Sequence, residues 1–344
     1  MTARFHNRDI NVPQEVAAQF SQLSRLLDNP EISKEFAIPE AQAKRSKIFF
    51  NTLGILSLTF IILLLLIATW RFYLYRVGVE PPLSLLWISG ALGVAAFAMA
   101  LSSHFLFGFQ DKWLHNRFTT ERLRQWKFQQ LLDGEFLTLS QTDQPEFDKQ
   151  LNARFVKARF ILQKPGAVND FLNAEDFHLF VKPSISSDRQ LAKQIFEAYQ
   201  HFRLDYQAAY FSFKLERLRT IDVWTTSIAK FSLMLAGLLA LGEVILLLGD
   251  AGRRESNLSW LVGALALSAA LISAAIRVVR SAKAISEETE TYASKWISLK
   301  ILADSFQSLT SHNKKLECMI ETERICVDEL RAFIRTFSKS DYLL

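Results

Sequence analysis

Residues 48–70 read IFFNTLGILSLTFIILLLLIATW, and not one of them is charged. The polar side chains in the run are Asn51, Thr52, Ser57, Thr59 and Thr69. At about 1.5 Å rise per residue, a helix of this length crosses a hydrocarbon core of about 30 Å. A helix on the surface of a soluble protein would carry a polar stripe, and this run has none. Lys44, Arg45 and Lys47 stand before it. Trp70, Tyr73 and Tyr75 stand at its far end, where amphipathic rings favour the membrane–water boundary.

Three further stretches read the same way. Leu83 to Phe107 is rich in small residues (Ser89, Gly90, Ala91, Gly93, Ala95, Ala96, Ala98 and Ala100), which let helix backbones approach in lipid. Val223 to Gly249 and Leu258 to Ile276 follow, the latter with a ridge of Ala266, Ala270 and Ala274 beside Ala264 and Ser268. His104, near the end of the second stretch, reads as an interfacial residue. The expectation is an all-α membrane protein with four transmembrane helices in two hairpins. Long cytosolic helical extensions and a small mixed insert complete it. The corresponding divisions are 1–47, 48–107, 108–222 with the insert at about 133–188, 223–279 and 280–344.

Half of the 344 residues are hydrophobic, yet the mean hydropathy is only +0.11. That balance suits a chain with a minority of its length in lipid. The net charge of +5 and pI near 9.1 are explained by basic residues flanking the apolar runs. Without zinc-finger spacing or an RNA-binding signature, nucleic acid is not an expected partner. Cys318 and Cys326 would lie about 12 Å apart along one helix, too far for a disulfide, and read as reduced packing residues. The histidines form neither HExxH nor a Cys/His cluster, so no metal or other cofactor is expected.

The segments between the apolar runs are helical in pattern. Val16, Phe20, Leu23 and Leu27 keep one face until Asp28-Asn29-Pro30 stops the helix. From Phe109, Trp113, Arg117, Glu121 and Arg124 recur at four, four and three, so they share a face of an amphipathic helix leaving the bilayer. Gly134, Pro145, Pro165, Gly166 and Pro183 punctuate 133–188, where short apolar pieces leave room for strands. Phe196, Tyr199, Phe202, Tyr206, Tyr210 and Phe213 then form an aromatic packing stripe. After the fourth run, Tyr292 to Phe306 and Leu316 to Phe337 keep spacings near 3.5, with a polar gap at 307–315.

Two charges fall inside an apolar run. Lys230 lies about two turns in and can snorkel to the interface. Glu243, between Ala240-Leu241-Gly242 and Val244-Ile245-Leu246, has too short a stem for that. Burying it in lipid costs about 3 kcal/mol or more unless it is protonated, paired or facing water. Headgroup contact, pairing with Arg253 or Arg254, and a lumen-facing role in an assembly all remain open to it.

Lysine and arginine crowd the two chain ends and the middle region, while the short links carry only Arg71, Arg76, Arg253 and Arg254. The positive-inside rule therefore puts both termini and the middle region in the cytoplasm. No GxGxxG, P-loop or GxSxG motif appears, and an enzyme is not expected.

The layout of helix, membrane hairpin and emerging helix, with Trp113, Arg117 and Glu121-Arg122-Leu123-Arg124 after the second run, resembles the SLATT superfamily. These are the SMODS- and SLOG-associating two-transmembrane effector domains of bacterial conflict systems. The resemblance is best over about Lys44 to Leu132. It implies a homo-oligomer in the bacterial inner membrane that permeabilises the bilayer when a cytosolic sensor fires. Glu243 and Lys230 would then line the pore. The alternatives are a constitutive ion channel or transporter using Glu243, and a membrane scaffold recruiting cytosolic partners.

Overall fold

The computed structural model describes residues 7, 9–102, 108–174, 178–249 and 257–339. His104, Arg253 and Arg254 lie outside them. The described residues are mostly helical, in the order α1 (Gln14–Ala17), α2 (Ser24–Leu27), α3 (Pro30–Arg76), α4 (Leu83–Leu101), α5 (Phe109–Gln129), α6 (Gly134–Thr142), α7 (Gln144–Gln163), α8 (Ala167–Asn173), α9 (Arg189–Tyr199), α10 (Tyr206–Gly249), α11 (Asn257–Ala282), α12 (Ile285–Ser308) and α13 (His312–Ser338). Short 3₁₀ turns follow α1 and α5, and a π-helical turn, Gln200–Asp205, joins α9 to α10. Among the described residues four helical stretches are long and apolar enough to cross a membrane, contained in Ser24–Arg76, Leu83–Leu101, Arg189–Leu248 and Asn257–Ala282.

No strand forms among the described residues. In the region read from sequence as a mixed insert, extended pairing is limited to an isolated parallel bridge between Asp133 and Ser184. The reason is local. Asp133 caps α6 by accepting from the Phe136 amide, and Asp143 caps α7 by accepting from the Glu146 amide. The apolar pieces Phe147, Leu151, Phe155, Ala158 and Leu162 then fall on one helical face and are buried. Gly134 is required where the bridge forms: its amide donates to the Ser184 carbonyl at 3.0 Å, and a Cβ there would collide with the Ser186 backbone.

The chain divides into two compact units. The first comprises 1–45, 112–217 and 288–336. Its centre is α5, which is buried at every position from Phe118 to Gln129. The sequence predicts an amphipathic helix; the structure instead covers its second half on all sides, while Asp111, Lys112 and His115 stay exposed. That is tolerable because its charged side chains are ion-paired, hydrogen-bonded or stacked on aromatic rings (below). Around it pack Trp126 on Phe155 (5.1 Å between ring centroids), Phe118 on Phe171 (5.2 Å) and Trp113 edge-on to Phe333 (5.6 Å). The first half of the aromatic stripe is a packing face, with Phe196, Tyr199 and Phe202 buried, while Tyr206, Tyr210 and Phe213 are half-buried and Phe211, outside the stripe, is buried against Tyr292. The polar gap is a turn at 309–311, after which α13 runs back along α12, with the Cys318 thiol 3.7 Å from the Leu302 carbonyl. Both cysteines are free and buried.

The second unit comprises 46–111, 218–287 and 337–344. In it α3 and α4 run antiparallel: Ser57 donates to the Ala96 carbonyl at 3.0 Å, and a Cβ on Gly93 would touch Leu64. α10 and α11 are also antiparallel, and their seam has a period of seven. Asp222 and Ala229 on α10 meet Arg280 and Ser273 on α11 in reverse order, and Glu243 lies against Gly263. Arg280 pairs with Asp222 at 2.6 Å, Ser273 donates to the Ala229 carbonyl at 2.9 Å, and Ala236 and Ala266 are both buried. The buried line on α11 is thus Ser259, Ala266, Ala269 and Ser273, with Ala264 beside it, rather than the 266/270/274 ridge read from sequence. Phe72 at the end of α3 meets Trp260 of α11, and the Arg76 guanidinium lies 4.6 Å from the same indole ring.

Candidate functional site

Arg117, Glu121 and Arg124 on α5 form an ion cluster. Arg117 lies 2.7 Å from Glu121 and 3.9 Å from Glu40. Arg124 donates to both oxygens of Glu121 at 2.7 Å and to Asn7 Oδ1 at 2.9 Å. Its Nε lies 2.8 Å from Asp9 Oδ2, a charge contact without hydrogen-bond alignment. Burial alone would raise the Glu121 carboxyl, but Arg117 and Arg124 outweigh it and hold it at about 2. Burial likewise disfavours the Arg124 charge, and Asp9 and Glu121 more than compensate. Trp113 occupies the same face without entering the cluster; it packs on Phe333.

One turn further along α5, Lys127 is fully buried and donates to the carbonyls of Ile10 and Leu27 at 2.8 Å and of Asp9 at 3.3 Å. It pins the N-terminal segment to the central helix. Burial lowers its amine to about 8, although Asp9 and Asp28 work against the shift. Arg122 projects elsewhere, 4.4 Å from the Phe180 ring and 5.2 Å from that of Phe171, and donates to Gln125 at 2.6 Å. Burial pushes it down to about 10, with Glu323 opposing and Arg331 adding to the effect.

A second buried pair escaped the sequence reading. Arg203 donates to Glu323 through Nε at 2.7 Å and Nη2 at 3.1 Å. Tyr199 donates its hydroxyl to the same carboxylate at 3.0 Å, and Gln129 of α5 its amide at 3.3 Å. Arg203 lies in the π-helical turn, whose extra residue bulges the backbone; such turns recur at functional positions. The only prior signal was an arginine interrupting the aromatic stripe. Glu329, also on α13, has a carboxyl raised to about 7 by burial and by Glu121, with Arg117 partly offsetting.

The two charges expected inside the apolar run sit apart. Lys230 is exposed, whereas Glu243 is half-buried and leans on α11. A Cβ at Gly263 would come within 2.5 Å of Glu243 Oε1, so the glycine makes room for the carboxylate. Thirteen residues separate Lys230 from Glu243, which places them about 140° apart around the helix. They do not share one face of α10.

No group of histidine, cysteine or acidic residues among those described could hold a metal ion. A cleft of about 270 Å³ in the first unit is lined by Glu35, Ile38, Gln42, His115, Asn116 and Arg159. Its main charges are matched within it, Arg159 to Glu35 at 2.9 Å. The arrangement as a whole is one of paired structural charges in one unit and, in the other, two charges on a helix long and apolar enough to cross a membrane. No protein-family model, curated protein or solved structure matches the chain.

Proposed function

We propose that this chain is an oligomeric membrane effector of a bacterial defence system, forming a pore or disrupting the inner membrane when activated. In this reading α3–α4 and α10–α11 are two transmembrane hairpins with both termini cytoplasmic, as the distribution of lysine and arginine favours. A cytosolic sensor supplies the trigger, and the similarity of Lys44 to Leu132 to SLATT domains supplies the biological setting.

The observation that carries it is the exposed surface of α4. Only 6% of its apolar window is covered by the rest of the chain. Gly93 and Ala96 face α3, while Ser84, Ala91 and Ala98, spaced by seven, are exposed with Trp87 and Val94 between them. Small residues on a bare membrane helix are the surface through which such helices associate. The paired charges around α5 supply a rigid body to which a signal can be applied.

The test is reconstitution of the purified chain into dye-loaded liposomes, with its oligomeric state measured in detergent. Leakage that rises with oligomer, and that Ala91→Leu abolishes, is the expected result. A monomer that never releases dye under any activating condition refutes it. A second reading, an ion channel or transporter, is favoured by the place Gly263 leaves for Glu243. It predicts selective flux that Glu243→Gln removes while the oligomer persists.

A further inference from the structure

In the first unit, α7 is two-sided. Its buried side is Phe147, Leu151, Phe155, Ala158 and Leu162. Its other side leaves large apolar groups in the open: Phe160 is 75% exposed, Val156 65% and Ile161 46%. Lysines are set among them. Lys149, Lys157 and Lys164 lie within about 80° of one another around the helix and flank Phe160. All three are exposed. Lys149 is 3.5 Å from Glu146 and Lys164 3.4 Å from Asp170, long solvent-exposed contacts of little strength. A face of phenylalanine and branched aliphatics rimmed by lysine is the composition of helices that lie in a lipid interface.

We propose that this face of α7 docks on the surface of an anionic bilayer. The inference rests on reading the chain as a membrane protein, which gives it a bilayer at hand; it does not rest on pore formation. Phe160, Val156 and Ile161 would enter the boundary between headgroups and acyl chains, and the lysines would meet lipid phosphates. A second copy of the chain fits the apolar groups but gives no reason for the lysines among them. Lipid phosphate satisfies both.

The experiment uses the full chain, one copy per nanodisc, with an environment-sensitive label on Ala153→Cys, an exposed position on this face. Cys318 and Cys326 are buried, and burial raises their thiols to about 11 and about 12, so they react slowly. In discs containing phosphatidylglycerol the label should be quenched by headgroup-depth nitroxide lipids and shielded from iodide. Discs of phosphatidylcholine alone should weaken that quenching. Lys157→Glu should shift the docked-to-undocked ratio at least about fivefold, the equivalent of one lysine near an anionic surface. Tryptophan emission and melting should stay unchanged, since Lys157 is exposed. A chain that enters discs but keeps a wet label in both lipids overturns the proposal while leaving the membrane reading intact. Failure to enter discs at all sinks that reading instead. Shielding that appears only with two copies per disc would assign the face to a second copy and also overturn it.

Discussion

Replacing Arg203 by methionine should be among the most damaging single changes in the first unit, and replacing its partner as well should undo most of the damage. Arg203 and Glu323 are 1% and 0% exposed, so neither charge can turn to water. Removing the guanidinium leaves Glu323 with Tyr199 and Gln129 as donors, neither of which neutralises it. Breaking such a pair costs about 3–5 kcal/mol, whereas exchanging both partners for apolar groups of similar volume is close to neutral. The unit has about 200 residues, for which 1 kcal/mol moves the melting temperature by about 2–4 °C. Arg203→Met should therefore lower the melting temperature in detergent by about 10 °C, and Arg203→Met/Glu323→Met should recover most of it. A single mutant within about 1 kcal/mol of the parent, or a double mutant as unstable as the single, would show that the pair does not bear on stability as argued.

Glu121 makes an acid-side prediction: its carboxyl is held at about 2 rather than 4.5, so its contribution is present above pH 4.5 and is lost as pH falls through 2. The span is worth at most about 3 kcal/mol, and Glu121→Gln should flatten the acid limb of a stability–pH curve by that order. Glu329 works in the opposite direction. Its raised carboxyl contributes stability that is present below pH 4.5 and lost as pH rises through about 7, so Glu329→Gln should stabilise the chain at pH 8 and change little at pH 4. At the α10–α11 seam, Gly263→Ala should destabilise the pair by about 1 kcal/mol because its Cβ meets Glu243, and Glu243→Ala should relieve the effect in a double-mutant cycle.

How much could be read beforehand depends on the range of the physics involved. The four apolar runs are legible because membrane thickness sets a length and lipid excludes charge, both properties of a single segment. The spacing of Arg117, Glu121 and Arg124 is legible because three and four residues make one helical face. What the sequence withholds is the partner across space. Asp9 lies more than a hundred residues from Arg124, and Glu323 is 120 residues from Arg203. No local pattern marks an arginine whose carboxylate is that distant. For the same reason α5 reads as half-solvated: its polar letters point to water unless their counterions are known. Region 133–188 misleads differently. Its prolines and glycines mark the ends of α6, α7 and α8, and short apolar pieces read as strands when cut by such markers.

The α10–α11 seam unites the membrane-side observations. A repeat of seven keeps one side of each helix against the other. Asp222 and Ala229 have partners that explain them, Arg280 and Ser273, and Ala236 and Ala266 are both buried. Arg280 also donates to the Asp222 carbonyl and to the hydroxyls of Thr225, Thr226 and Ser286, so that end is fastened by one side chain with several acceptors. At the other end Glu243 takes the position where an alanine would extend the pattern, and Gly263 yields space to it. A carboxylate there weakens packing that a methyl would complete, and in a bilayer it would carry a further cost of about 3 kcal/mol. The pair is thus tight at the Asp222 end and loosened at Glu243. If the loosened end is where the assembly opens, Glu243→Ala should tighten the pair and raise the melting temperature while reducing dye release. Greater stability with undiminished leakage would place the opening elsewhere.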